Sequence, residues 1–184
     1  MMGKRREFYT MKHAHSLKHN HRQLRIMLAT ILCLLPLTLA AAPALAASSV
    51  VAHYTTASPS VQEQTAQNLL NSDRARYGLA PLTLDAELSR IARIKCEDMR
   101  DNRYFAHVSP TYGDVRQMLR TFGYSYAGAG ENIAHHATVE KAQAAFLSSP
   151  GHRHNIMSSA YTKVGIGVAF DAKGFIYLTQ IFCR

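Results

Sequence analysis

Near its end the chain alternates large apolar residues with small ones, and this pattern constrains the fold more than any other feature. In the run VGIGVAF at 164–170, glycine or alanine separates each large residue from the next. A second β-rich run, FIYLTQIFC at 175–183, follows a turn at 171–174 that contains Gly174. Because two-residue alternation is the period of a strand, two such runs across a short turn predict an antiparallel hairpin.

Helical patterns fill most of the body before this hairpin. The sequence predicts helices over 63–77, about 85–102, 115–122 and 138 to about 147. In the second of these helices Cys96 falls on the apolar face, and its side chain is expected to point inward. Helices followed by a hairpin predict one α+β domain over 63–184, in which helices cover a sheet.

The residues that carry chemistry concentrate in three segments, which are FAHVSP at 105–110, GENIA at 130–134 and SPGHRHNIM at 149–157. We expect all three to be loops or turns, where functional residues concentrate. If His107, Glu131 and His152 converge, two imidazoles and a carboxylate can bind a divalent cation or perform acid–base chemistry. The alternative is that each histidine caps a turn or lies at the surface, while Glu131 accepts backbone N–H bonds.

The first 46 residues have the features of an export signal. Seven Lys and Arg residues precede an uncharged apolar run at 26–47, which ends in AAPALAA. These are the parts of a secretory signal peptide, here with cleavage after Ala46. An uncleaved membrane anchor over 26–47 is the competing interpretation, because the run is long enough to span a bilayer. Residues 47–62, rich in Ser, Thr and Ala, are predicted to be a flexible linker.

The formal net charge of +9 suggests a nucleic-acid partner, but the distribution of charge argues against one. Residues 1–46 hold seven basic residues and one acidic residue, which leaves 14 basic and 11 acidic residues in the remaining 138. Without a basic stripe on the body, no nucleic-acid partner is expected. The mature domain is expected to be soluble and secreted, either extracellular or periplasmic.

Two cysteines, Cys96 and Cys183, remain after the predicted cleavage. Because exported proteins meet an environment in which disulfides persist, the pair is expected to form a bridge. The alternative is that both are small buried apolar residues.

Five blocks in order resemble the CAP superfamily, also called SCP-like, which contains cysteine-rich secretory proteins, antigen 5 and plant pathogenesis-related proteins. The blocks are LLNSDRARYGLAPLTLDAELSRIA, YFAHVSP, GENIA, SPGHRHNIM, and VGIGVAF with YLTQIF, and they span about Thr65 to Phe182. The similarity is to the bacterial extracellular branch of the family. It implies a three-layer α–β–α sandwich with a central, largely antiparallel sheet.

The resemblance also implies a cleft that holds His107, Glu131 and His152. Animal and plant members carry a second Glu just before the last of these blocks. Ser148 or Ser149 stands at that place in this chain, as in many bacterial members, so the carboxylate pair is incomplete. Ser149 is accordingly included among the expected cleft residues.

A zinc site follows from the same resemblance, because some family members bind Zn²⁺ through the two cleft histidines. The implied ligands are His107 and His152, with His154 as an additional candidate. Glu131 would then orient an imidazole from outside the ligand set. We expect that the protein requires no cofactor, and that Zn²⁺ is the metal ion that this cleft could bind.

For function, the family's association with lipids, sterols and cell-surface processes implies a secreted, non-enzymatic module. Its expected partner is a lipid or other small molecule, or a component of the cell envelope. One alternative is a metal-dependent hydrolase or protease in which His107 and His152 hold Zn²⁺ and Glu131 activates water. A second alternative is an envelope adaptor that binds another protein through its exposed surface.

Overall fold

The computed structural model describes residues 58–184. Its elements in chain order are α1 (Val61–Arg76), β1 (Thr83–Leu84), α2 (Ala86–Asp101), α3 (Val115–Thr121), β2 (Ala129–His136), α4 (Val139–Ser148), α5 (Pro150–Met157), β3 (Lys163–Phe170) and β4 (Ile176–Cys183). The four predicted helices and the hairpin are confirmed, with ends that shift by at most two residues. The predicted signal peptide, its membrane-anchor alternative and most of the predicted linker lie outside the described residues. Within 58–184, no helix combines the length and apolar character needed to cross a bilayer.

The four strands form one sheet in the order β1–β3–β4–β2. β4 pairs antiparallel with β3 on one side and with β2 on the other, over eight residue pairs each. Only the two-residue β1 runs parallel to its neighbour, β3. The predicted α+β class with a largely antiparallel sheet is therefore confirmed.

Helices cover both faces of the sheet, so the part of the chain at 58–184 has three layers. On one face, α2 and α3 enclose a core that includes Leu88, Ile91 and Ile181. On the other face, α1, α4 and α5 enclose a larger core that includes Phe146 and Phe182. The alternation along β3 explains this division, because its large residues point to the second face and its glycines face α2.

Two segments predicted as loops or turns are regular elements. GENIA lies within β2, where it pairs with β4, and most of SPGHRHNIM forms α5. The strand β2 was not predicted because its composition does not favour a strand, and its extended conformation depends on pairing with β4. For α5 a local signal was present, since Ser149 is the N-cap residue and Pro150 occupies the first helical position.

The predicted disulfide between Cys96 and Cys183 is wrong, because both are buried free thiols. Cys96 Sγ lies 3.2 Å from the hydroxyl of Thr179, which precedes Cys183 by four residues on β4. Four strand residues span about 13 Å, which is beyond the reach of a disulfide. Burial raises the pKa of the Cys96 thiol to about 12 and that of the Cys183 thiol to about 11, so both stay protonated at neutral pH.

Candidate functional site

Three of the predicted site residues meet at the edge of the sheet formed by β2. His107 comes from the segment between α2 and α3, Glu131 from β2, and His152 from the first turn of α5. The Nδ1 atom of His107 lies 3.7 Å from Oε1 of Glu131. The ring centroids of His107 and His152 are 6.3 Å apart. Residues up to 45 positions apart in the sequence thus lie side by side at this edge, and the group is called here the His–Glu cleft and defined by these three residues.

Glu131 is the buried member of the His–Glu cleft, with a side chain only 5% exposed. The register of β2 against β4 places it opposite Ile181, on the face that α2 covers. Its Oε1 atom is buried and accepts no hydrogen bond from any described residue. A buried carboxylate oxygen without a donor is costly, so this atom favours a cation or a hydrogen-bond donor beside it.

The surroundings of the two histidines shift their pKa values in opposite directions. Interaction with Glu131 raises the pKa of His107, although burial and the charge of Lys95 oppose this shift. Burial lowers the pKa of His152, and the neighbouring His107 lowers it further. His152 therefore tends toward the neutral imidazole that binds metals, whereas His107 is the more readily protonated partner of the carboxylate.

Lys95 on α2 holds the backbone that carries His107. Its side chain is buried, and Nζ donates hydrogen bonds to the carbonyl oxygens of Ala106 at 2.9 Å and His107 at 3.1 Å. Burial lowers the pKa of Lys95, while the charges of Glu131 and Asp98 oppose that shift. Sequence analysis missed this residue, although a lysine on the apolar face of a helix was an available signal.

A second anchor on α2, Asp98, fixes the same segment further along. Its carboxylate accepts hydrogen bonds from the hydroxyls of Ser109 at 2.7 Å, Thr111 at 3.1 Å and Tyr104. Burial favours the neutral acid, but these bonds and one from Asn102 outweigh it and lower the pKa of Asp98. Because the segment is bonded on both sides of His107, the backbone that carries this imidazole is held in place before any ligand arrives.

Two asparagine amides, one buried and one half-buried, position His152 from the opposite face of the sheet. Asn132 Nδ2 donates to the carbonyl oxygen of His152 at 3.1 Å, and Asn155 Nδ2 donates to the carbonyl oxygen of Glu131 at 3.1 Å. The two asparagines also bond to each other at 2.9 Å. The His152 ring contacts the edge of Phe146, with centroids 5.1 Å apart. Sequence analysis missed these asparagines, although both stand inside the motifs that it selected.

The other predicted site residues take different positions. His154 is exposed, and the two-residue step from His152 on a helix turns its side chain to another side, so the structure does not bring it to the cleft. Ser149 is half-buried between α4 and α5, and its hydroxyl makes no capping hydrogen bond.

The donor types of the His–Glu cleft match those that Zn²⁺ takes, namely two imidazoles and a carboxylate oxygen that accepts no hydrogen bond from the described residues. Within residues 58–184, no three His, Cys, Asp or Glu side chains stand close enough together to hold a metal ion. The side chain of His107 is 55% exposed, which leaves its ring room to turn. The residues therefore fit the metal in chemistry, and a rearrangement of His107 would be needed to complete the geometry.

The sequence model of the cysteine-rich secretory protein family, CAP, matches residues 67–182 of this chain. The chain is also similar to an uncharacterized protein of Bacillus subtilis, YkwD, with 42% identity over 144 residues. That match covers 78% of this chain and 55% of YkwD, so this chain spans about half the length of its relative. An uncharacterized membrane protein of the same bacterium, YlbC, is 38% identical over 66% of this chain and 34% of its own length.

Solved structures show the same architecture. An extracellular protein of Bacillus anthracis that contains an SCP domain is 35% identical, with a TM-score of 0.63, over 67% of this chain and 40% of that one. An outer surface protein of Borrelia burgdorferi is 17% identical, with a TM-score of 0.61, over 66% of this chain and 90% of that one. The second likeness concerns the fold alone.

Proposed function

This chain belongs to the cysteine-rich secretory protein (CAP) family, and from that premise we propose that it is an exported binding module whose recognition site is the His–Glu cleft. The similar Bacillus anthracis domain is described as extracellular, which supports a position for this domain outside the cytoplasm. The expected partner is a small molecule, such as a lipid, or a component of the cell envelope.

One observation carries this proposal, namely the buried Oε1 atom of Glu131, which accepts no hydrogen bond from the described residues. It faces His107 at 3.7 Å, in a segment that Lys95 and Asp98 hold in place. A fold that fixes the surroundings of a buried carboxylate oxygen without a hydrogen-bond donor is prepared for a cation or a donor group.

A divalent cation such as Zn²⁺ is the ligand that we propose for this atom and the two imidazoles. His107 and His152 would hold the ion, and Glu131 would either complete the ligand set or orient His107. The bound ion would supply a positive charge and an open position to which an anionic or carbonyl group of a partner can bind.

Calorimetric titration of Zn²⁺ into the full chain, beside a His107→Ala/His152→Ala variant, tests this proposal. Four of the ten histidines lie at 13–21, so binding outside the cleft is expected as background in every variant. The wild type is expected to show one saturable site more than the double variant. The matched control is His154→Ala on the same helix, which should keep that site.

Equal binding in all three proteins would overturn the metal site. A site that disappears with His154→Ala but persists in the double variant would also contradict it. NMR spectra of the histidine rings provide the second measurement, because Zn²⁺ should shift the His107 and His152 signals together.

A metal-dependent hydrolase is the second candidate, favoured by the pairing of Glu131 with a histidine whose pKa it raises. Such a pair is suited to move a proton at a bound water. Turnover of a peptide or ester panel by the Zn²⁺-treated wild type, lost in a folded Glu131→Gln variant, would support the enzyme. An inactive wild type would remove this candidate and leave the binding module.

A further inference from the structure

A second cavity, of about 810 Å³, lies where the end of α2, the end of β2 and the β3–β4 turn meet. Its walls are largely aromatic, with Phe105, Phe175 and Tyr177 among the lining residues. Phe105 is 51% exposed and Phe175 is 43% exposed. His135 stacks on Tyr177 with ring centroids 4.2 Å apart, which extends the flat surface. We call this the aromatic cavity, and it contains none of the His–Glu cleft residues.

The charges around the aromatic cavity leave an excess of cations. The carboxylate of Asp171 bonds to His135 at 3.0 Å and accepts hydrogen bonds from the backbone N–H groups of Lys173 and Phe175, so its oxygens already have partners. Arg103 and Lys173 also line the cavity. Neither forms a salt bridge with any residue in the described part of the chain.

Arg103 stands where the local fold favours glycine. Three helices end in the same motif, in which the second residue after the helix has a positive φ. At the ends of α1 and α3 that residue is glycine, Gly78 and Gly123, with φ of 69° and 70°. At the end of α2 it is Arg103, with φ of 54°, the one non-glycine residue of positive φ among residues 58–184.

An arginine in this conformation is less favourable than glycine would be, and backbone strain of this kind is concentrated at ligand sites. Arg103, the residue that replaces glycine, lines the aromatic cavity. Arg103 therefore makes the fold less stable than glycine would and places a cationic residue on the cavity wall.

We propose that the aromatic cavity binds a small amphipathic anion, in which a flat apolar body carries a carboxylate, phosphate or sulfonate group. The aromatic faces would stack on the body of the ligand, and Arg103 and Lys173 would pair with its anionic group. This site is separate from the His–Glu cleft, and the proposal does not depend on metal binding there.

The first test measures binding of 1-anilinonaphthalene-8-sulfonate, an aromatic sulfonate, to the full chain by fluorescence titration. N-phenyl-1-naphthylamine, which has the same rings without the sulfonate, is the matched neutral probe. Phe105→Ala and Lys173→Gln should each weaken sulfonate binding about 5- to 10-fold, and Lys173→Gln should reduce the preference for the charged probe. Lys141→Gln on α4 and Phe170→Ala, an aromatic 48% exposed elsewhere, are the controls and should change nothing.

Arg103→Gly separates a ligand role from a structural one. Because glycine adopts a positive φ without the steric cost of a Cβ, this variant should melt about 2 to 5 °C higher than the wild type. Its affinity for the sulfonate should nevertheless fall several-fold. The proposal is overturned if the sulfonate does not bind saturably, if binding survives Phe105→Ala and Lys173→Gln, or if it follows Phe170→Ala instead. Unchanged affinity in the stabilised Arg103→Gly variant would equally count against it.

Discussion

The two faces of the sheet are built in contrasting ways. Against α2, the strand β3 presents Gly165 and Gly167, so the helix lies directly on backbone. Against α4 and α5, the sheet presents large side chains such as Phe182, together with buried amides such as Gln180 and Asn132. One face depends on close approach, and the other depends on side-chain volume and a polar network.

This difference explains how one edge strand can carry a site made from both faces. The α2 face provides the rigid platform, since Lys95 and Asp98 hold the segment of His107. The opposite face provides a layer of hydrogen-bonded amides, since Asn132 and Asn155 connect β2 to the helix of His152. The His–Glu cleft lies where the platform and the polar network meet, at β2.

Gly165→Ala should have the largest effect on stability, because it acts on the close approach itself. A Cβ at this position would lie 2.2 Å from the carbonyl carbon of Leu88, so α2 would have to shift. We expect the free energy of unfolding to fall by about 3 kcal/mol or more in urea denaturation. The control is Gly151→Ala on α5, where no heavy atom lies within 4 Å. That variant should change stability by about 1 kcal/mol or less, and equal losses in both variants would refute the contrast between the faces.

Asp98→Asn should have the next largest effect and lower the free energy of unfolding by about 2 to 4 kcal/mol at pH 7. The reason is that an amide cannot accept all of the hydrogen bonds that the carboxylate accepts. The folded pKa of Asp98 lies below its ordinary value of 3.8. Its contribution is therefore complete above that value and is lost as the pH falls through the folded pKa. Urea denaturation at pH 7 and pH 3 should show a smaller gap between wild type and variant at pH 3. A gap that does not depend on pH would exclude this role for the carboxylate.

Asn155→Ala should lower the free energy of unfolding by a smaller amount, about 1 to 2 kcal/mol, because it removes two hydrogen bonds of the polar network. The exposed Asn68→Ala on α1 is the matched control and should stay within about 0.5 kcal/mol of wild type. Thermal denaturation measures both variants, and NMR should show a displaced His152 ring in Asn155→Ala only. An unmoved His152 ring would mean that the network does not position it.

The order in which the two cleft histidines titrate should be the smallest effect. In protein freed of metal by a chelator, NMR titration should give His107 a higher pKa than His152. Stability from His107 is present below its ordinary pKa and is lost as pH rises through the folded value, whereas stability from His152 is present above its ordinary pKa and is lost as pH falls through its folded value. The two contributions therefore oppose each other. Glu131→Gln should lower the pKa of His107, and an unchanged value would show that the carboxylate does not act on it.

Much of the fold was predictable from short-range patterns. The β3–β4 hairpin follows from alternation, and α4 follows from its Thr138 cap and apolar spacing. The strand character of GENIA was missed, because β2 depends on pairing with a partner about 50 residues away. The proposed disulfide failed for a related reason, since the positions of Cys96 and Cys183 depend on where α2 crosses β4.

The sequence by itself determined α1 to α4, the closing hairpin and the motifs that place the chain in its family, because periodicity, caps and turns act between near neighbours. Only the tertiary structure decided that His107, Glu131 and His152 share a cleft, that the two thiols stay apart, and that Arg103 faces an aromatic cavity. These outcomes depend on strand register and helix placement, which arise from contacts between residues far apart in the chain.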